Sequence, residues 1–314
     1  MEKKSILVTG GAGFIGSFLC EELLSRGHNV VCLDNFSTGR KSNIKHLVKN
    51  PRFKLIKHDV TKPIKLKTDF IFHLASPASP VDYQKLPIET SMANSLGTFN
   101  MLNLAKKNKS RFLLASTSEV YGEPSIHPQR EDYWGNVNPI GIRSCYDVSK
   151  RFAENLAMNF FRKYGLDVRI ARIFNTFGPK MRANDGRAIP NFIVQSLTEK
   201  PITVYGDGKQ TRSFCYISDL VGGLIKLMLE KNLSGEVVNL GNPEERTILS
   251  VAELIKGMTK SHSEIIFEPL PKDDPTRRKP NITKTRKLLG WESETDFSSG
   301  LEKTIEWFRG ELKK

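Results

Sequence analysis

Short apolar runs rich in branched residues alternate, through the first half of the chain, with longer segments whose apolar residues recur every three or four positions. Residues 5–8 (SILV), 30–33 (VVCL), 54–56 (KLI), 70–75 (FIFHLA), 112–116 (FLLAS) and 167–173 (DVRIARI) have the composition and length of strands. Between the first two, residues 14–27 (FIGSFLCEELLSRG) place Phe14, Phe18, Leu19 and Leu23 on one helical face and end at a capping Gly27. Strand, helix and strand repeated in this way predict a parallel sheet covered on both faces, an α/β doubly wound fold. From residue 176 the pattern turns irregular, with loop-rich stretches at 177–187, 204–214 and 270–280 between helices, as expected of a smaller C-terminal substrate-binding α/β domain. Residues 235–241 (GEVVNLG) again have strand character and are expected to return to the main sheet. The predicted division is therefore 1–175, with 212–241 returning to it, against 176–211 and 242–314.

Composition narrows the function. Lysine and arginine total 48 against 34 acidic residues, a formal net charge of +14, but the basic residues are scattered in short groups such as KKNK and RRK. That pattern predicts a solvated basic surface and no nucleic-acid partner. No stretch reaches the ~20 apolar residues of a membrane helix, and the start MEKKSILVTGG lacks a signal-peptide pattern, so no membrane role and a cytoplasmic location are expected. The four cysteines, Cys20, Cys32, Cys145 and Cys215, lie far apart with no ligand spacing, which predicts free thiols and no metal.

The segment LVTGGAGFIGSFLCEELL sets Gly10, Gly11, Gly13 and Gly16 between the first strand and the first helix. Glycines there let the backbone approach a pyrophosphate at the positive end of the helix, the pattern of a Rossmann-type dinucleotide site. Asp34 ends the second strand, where a carboxylate accepts hydrogen bonds from an adenosine ribose and repels the 2′-phosphate of NADP; this predicts NAD, against the opposing charges of Arg40 and Lys41. Asp59, after the third strand, is placed to meet the adenine or to serve a surface turn. Further on, SCYDVSKRFAENL carries Tyr146 and Lys150 four apart, on one helical face. A free phenol has a pKa of about 10; a neighbouring ammonium and the nicotinamide charge are expected to lower it. With Thr117 or Ser116 as hydroxyl partner, Tyr146 can take a proton from an alcohol while hydride passes to NAD.

These residues, together with HLASPASPVDY (73–83), STSEVYG (116–122), HPQREDYWGNVNPIG (127–141), RIFNTFGPKMRANDGR (172–187), VYGDGKQTRSF (204–214) and DDPTRRKPNI (273–282), resemble the nucleotide-sugar branch of the extended short-chain dehydrogenase/reductases. Within this NAD-dependent epimerase/dehydratase group, the SPASP and REDYWG segments resemble the UDP-glucuronate decarboxylase family. The resemblance implies NAD-dependent decarboxylation of UDP-glucuronate to UDP-xylose through a 4-keto intermediate. The competing readings are a UDP-sugar 4-epimerase, a 4,6-dehydratase, or a non-catalytic NAD-binding protein. It implies a homodimer through helices at about 88–107 and 146–164. The implied catalytic set is Thr117, Glu119, Tyr146, Lys150 and Arg278. Here Glu119, on its own an unremarked strand-end polar residue, acts as acid or base at the decarboxylating end, and Arg278, or its neighbour Arg277, grips the substrate carboxylate. The implied cofactor set is Gly10, Gly13, Phe14, Ile15, Gly16, Asp34, Asn35, Ser37, Thr38, Gly39, Asp59, Val60, Leu74, Ser76, Ser116, Tyr146, Lys150 and Arg187. The implied substrate set is Pro77, Ser79, Asn175, Arg187, Tyr205, Arg212 and Arg278. Departures from the family pattern stand at Met92, Ile142, Val148 and Ser149.

Overall fold

The structure, a computed structural model, describes residues 2–313. Six strands alternate with helices in the first half: β1 (Ser5–Thr9), β2 (Asn29–Asp34), β3 (Phe53–Lys57), β4 (Phe70–His73), β5 (Arg111–Thr117) and β6 (Val168–Ile173). The helices are α1 (Phe14–Ser25), the short α2 (Pro80–Lys85) and α3 (Pro87–Met92), α4 (Thr98–Asn108) and the long α5 (Ser144–Tyr164). Four short strands follow, β7 (Thr176–Phe177), β8 (Ile202–Tyr205), β9 (Thr211–Ser213) and β10 (Cys215–Tyr216), before β11 (Val237–Leu240). All neighbours in the main sheet are parallel, in the order β11-β6-β5-β4-β1-β2-β3. This is the doubly wound fold the strand pattern predicts, with β11 at one edge beside β6.

Side chains on successive strand residues point to opposite faces, and the two cores follow that alternation. Ile6 and Val8 of β1, with Phe72, Leu113 and Val238, pack against α1 and α7 (Ile217–Leu229). Leu7, Ile71, Phe112 and Leu114 face the other way, onto Met101 and Leu102 of α4 and Ala153, Ala157 and Phe160 of α5. A third core joins α6 (Ala188–Leu197) and β8 to α8 (Ile248–Thr259) and α10 (Phe297–Leu312) through Ile193, Val204, Val251, Phe297 and Leu301. The smaller sheets beside it are β12 (Glu245–Thr247), β9 and β14 (Arg277–Arg278), and β13 (Ile265–Glu268) with β8; the helix α9 (Thr283–Leu289) precedes α10. Among the described residues no helix is long and apolar enough to cross a membrane, and all four cysteines are free.

Two local expectations change. The run at 70–75 leaves the sheet after His73, because the N–H groups of Leu74 and Ala75 turn onto Thr9 Oγ1, each at 3.2 Å. The buried face of α1 is Gly16, Ser17, Leu19, Cys20, Leu23 and Leu24, while Phe14 and Phe18 are only partly covered at its edge. Phe14 instead looks into the cavity described next. The strand order reverses between β1 and β4, so the loops after β1, β4 and β5 diverge and open a crevice at the carboxyl ends of these strands.

Candidate active site

The crevice is a cavity of about 750 Å³. Its cofactor end is shaped by the glycine turn after β1. Gly10 has φ +69°, and a Cβ on Gly16 would lie 2.2 Å from the Gly10 carbonyl oxygen, so only glycine lets α1 begin this close to the turn. Asp34, buried at the end of β2, accepts from the backbone N–H of Ala12 (2.9 Å) and of Phe36 (2.8 Å). Burial raises its pKa, against the pull of these two bonds. The turn and the carboxylate form a cradle that fits a dinucleotide. Every residue of the implied cofactor set, from Gly10 through Asn35, Ser37, Thr38, Gly39, Val60, Leu74 and Ser76 to Arg187, lines the cavity. Asp59 does too, although its oxygens are held by Thr61 and Asn35 in a local turn.

At the centre, α5 brings Tyr146 against the end of β5. The Thr117 hydroxyl is close enough to favour the ionised phenol of Tyr146, and it accepts from the Glu119 N–H at 3.2 Å. Lys150 Nζ donates to the Ala115 carbonyl at 2.9 Å and lies 5.7 Å from the Tyr146 ring centroid. Ser116 turns away from Tyr146, donating to Glu154 at 2.6 Å, and Glu154 in turn holds Arg172 at 2.9 and 2.8 Å. Of the two hydroxyls proposed as partner, Thr117 is the one that acts on the phenol. Burial pushes the Tyr146 phenol up to about 12, against the Thr117 hydroxyl and the charge of Arg187; the lowering expected from a nicotinamide charge is a separate contribution. The same burial brings Lys150 down to about 8, opposed by Glu154.

The far end is an alternation of charges that the sequence did not announce. Glu119 Oε2 accepts from Arg143 Nη2 at 2.6 Å and from Arg278 Nη2 at 3.5 Å. Arg143 also donates to Asp274 Oδ1 (3.0 Å), and Arg212 donates to Asp274 Oδ2 (2.8 Å). Burial works to raise the Glu119 pKa, but Arg278, Arg143 and Arg212 outweigh it and hold the carboxylate at about 2. Asp147, next to Tyr146, is pushed up to about 8 by burial and by the charge of Glu119. Arg278 is 1% exposed and lies behind Glu119, outside the cavity lining, whereas Arg277 is exposed. In this arrangement Arg278 meets the protein's own carboxylate, and of the two arginines that contact Glu119 the one on the wall is Arg143. Sequence reasoning missed Arg143, although it stands three residues before Tyr146, at the N-cap of α5.

Pro77, Ser79, Asn175, Arg187, Tyr205 and Arg212 all line the cavity, but the Ser79 hydroxyl caps α2 by accepting from the Asp82 N–H at 3.2 Å. Of the departures, only Met92 reaches the cavity. Ser149 is buried against Asn94, whose Nδ2 donates to it at 3.0 Å. A second tyrosine was also missed: Tyr83 lies parallel to Tyr146, ring centroids 5.1 Å apart at 4°, with its hydroxyl buried and without a hydrogen-bond partner. Among the described residues no group of three or more His, Cys, Asp or Glu is placed to hold a metal ion.

Residues 7–304 match the family described as GDP-mannose 4,6 dehydratase. UDP-glucuronic acid decarboxylase 1 of Danio rerio is 54% identical over 312 residues, which are 99% of this chain and 74% of that protein. UDP-glucuronic acid decarboxylase 1 of Arabidopsis thaliana is 54% identical over 307 residues, 98% of this chain and 70% of that one. The chain belongs to the UDP-glucuronic acid decarboxylase family. Its fold is shared more widely. The UDP-glucuronic acid 4-epimerase of Bacillus cereus, solved with UDP-glucuronic acid and NAD, is similar at TM-score 0.89 and 32% identity, covering 98% of this chain and 99% of that one. The UDP-N-acetylglucosamine 4-epimerase of Methanobrevibacter ruminantium, solved with UDP-N-acetylmuramic acid, is similar at TM-score 0.91 and 28% identity, covering 99% of this chain and 100% of that one.

The stacked tyrosines generate a test. Tyr83→Phe keeps the ring against Tyr146 and removes an unpartnered buried hydroxyl, so turnover stays near wild type and urea resistance is unchanged or higher. Tyr83→Leu removes the stack, and kcat falls about 10- to 100-fold through misplacement of Tyr146. Equal kcat for the Leu variant and wild type would show that the stack does not position the phenol.

Proposed function

We propose that the protein decarboxylates UDP-glucuronate to UDP-xylose and CO₂ with NAD held in the glycine-lined half of the cavity. The reading is carried by the arginine-rich end of the cavity beside Tyr146, in a chain 54% identical over 99% of its length to a UDP-glucuronic acid decarboxylase. NAD supplies a reversible hydride acceptor for C4 of the sugar. Tyr146, aided by Thr117 and Lys150, takes the C4 hydroxyl proton and later returns it. Oxidation makes the sugar a β-keto acid, whose C6 carboxylate leaves as CO₂ because the remaining electrons delocalise into the C4 carbonyl as an enolate. No metal is needed for that step. A proton from water then adds at C5, and return of the hydride to C4, with the Tyr146 proton to its oxygen, completes UDP-xylose.

The roles at the far end follow from charge. Glu119, held at about 2, is an anion near neutral pH; it accepts a proton or a hydrogen bond and does not donate one. Arg143 on the wall, backed by Arg278 and Arg212, provides the positive field for the substrate carboxylate, and Arg212 with Arg187 and Tyr205 suits the UDP half. The sheet with its returning strand carries the cofactor, and the segments 176–211 and 242–314, together with Arg212 of β9, carry the sugar nucleotide.

The protein is further proposed to be a homodimer. Ile88 of α3, Leu96 of the helical turn Ala93–Gly97 that follows it and Phe99 of α4 are exposed apolar residues, with Phe152 of α5 exposed as well. Four free cysteines suit the reducing cytoplasm.

Purified protein given UDP-glucuronate and NAD should release CO₂ and form UDP-xylose without stoichiometric accumulation of NADH, followed by ¹³C NMR of the sugar and absorbance at the NADH band. UDP-galacturonate without CO₂ would replace this reading with epimerisation. In light scattering the wild type should run at twice the monomer mass and Phe99→Asp at the monomer mass; a monomeric wild type contradicts the dimer.

A further inference from the structure

Asp274 belongs to the irregular segment between β13 and β14 and lines the cavity together with Arg143 and Arg212. Its two oxygens are divided between those guanidinium groups, Oδ1 to Arg143 at 3.0 Å and Oδ2 to Arg212 at 2.8 Å. The segment is otherwise held at its rim by hydrogen bonds from uncharged donors. Asn138 Nδ2 donates to Asp273 at 3.2 Å, and the Asp274 N–H reaches the Pro271 carbonyl at 3.3 Å. Thr276 N–H donates to Glu123 at 2.8 Å. Asp274 itself is a quarter exposed, toward the cavity it lines.

The result is a continuous row, Arg212, Asp274, Arg143, Glu119 and Arg278, in which positive and negative groups alternate. A guanidinium recognises an anion through a planar fork of N–H donors. In Arg143 one terminal nitrogen is directed at Glu119 and the other at Asp274. In Arg212 one is directed at Asp274 and the other at the Thr211 carbonyl, 2.8 Å away. A diphosphate or carboxylate that approaches either arginine therefore meets donors already engaged by a carboxylate of the protein.

We propose that Asp274 is a specificity-setting carboxylate that occupies the anion site of Arg143 and Arg212 and is exchanged for an anionic group of the sugar nucleotide when substrate binds. This rests on the UDP-sugar acid reading above. The exchange keeps the arginines oriented and charge-balanced before substrate arrives. It also sets a threshold: a ligand enters only by displacing the carboxylate, so an anion without the further contacts of a sugar nucleotide, such as inorganic phosphate, is rejected. Asp274 thereby lowers affinity for the very ligand class the arginines select.

The test is the affinity of NAD-loaded protein for UDP and for UDP-glucuronate, measured by titration calorimetry in wild type, Asp274→Asn and Asp274→Ala. A residue that merely supported the arginines would weaken binding when removed. The exchange predicts the reverse: UDP binds about 10-fold tighter to both variants, the factor associated with one charge-assisted hydrogen bond no longer in competition, and inorganic phosphate becomes a measurable competitor. Two variants of different shape guard against a folding defect peculiar to one. Binding that is unchanged or weaker in the folded variants, with wild type binding UDP-glucuronate normally, overturns the exchange alone. Wild-type protein that binds neither UDP nor UDP-glucuronate overturns the UDP-sugar reading and the exchange with it.

Discussion

The carboxylate of Glu119, half-buried among guanidinium groups, is a contact at which separate parts of this molecule meet. Burial alone would drive such a group neutral, and removing one partner of a buried ion pair is commonly worth 3–5 kcal/mol. Here the partners come from separate parts of the fold: Glu119 from the turn after β5, Arg143 from the start of α5, Arg278 from β14 and, one ion pair further, Arg212 from β9. The main sheet and the smaller lobe are thus tied together through charges that also form the end wall of the cavity. Packing of the lobes and electrostatics of the site are one arrangement.

That arrangement divides the cavity into two chemical regimes. Around Tyr146 and Lys150, burial dominates, raising the phenol and lowering the ammonium. Around Glu119, charge dominates. The contrast is sharpest between two carboxyl groups in the same neighbourhood, Glu119 held at about 2 and Asp147 pushed up to about 8. Environments that drive paired titratable groups apart separate donors from acceptors near neutral pH. The family relationship then gives this polarity a use, since a sugar acid brings an alcohol to one regime and a carboxylate to the other.

Much of the fold was legible because it is local. Each strand of the main sheet is a short branched run, the glycine turn lies between one strand and one helix, and Tyr146 and Lys150 share a helical face by spacing alone. What was not legible is long-range. Arg278 and Glu119 are 159 residues apart, Asp274 and Arg143 131, and nothing in either local pattern announces the pairing. The choice between Arg277 and Arg278 depends on which side of β14 faces inward, a parity that a two-residue strand does not reveal in sequence. Tyr83 belonged to a segment noted for its resemblance, but its stack on Tyr146 depends on how α2 docks against α5. The burial that raises Tyr146 was not legible either, since only its helical neighbour and the nicotinamide charge could be weighed from the sequence.

The central claim is that Glu119 is a permanent anion set by arginines from both lobes. It is tested most directly by ¹³C NMR of protein labelled at the glutamate carboxyl carbons, with the Glu119 resonance assigned from the Glu119→Gln variant and followed from pH 7 downward. The account predicts that this resonance stays at its ionised position through the range near pH 4.5 where exposed glutamates titrate, and moves only as the pH approaches 2 or the protein unfolds. A Glu119 resonance that titrates at or above pH 4.5 in the folded protein would contradict it.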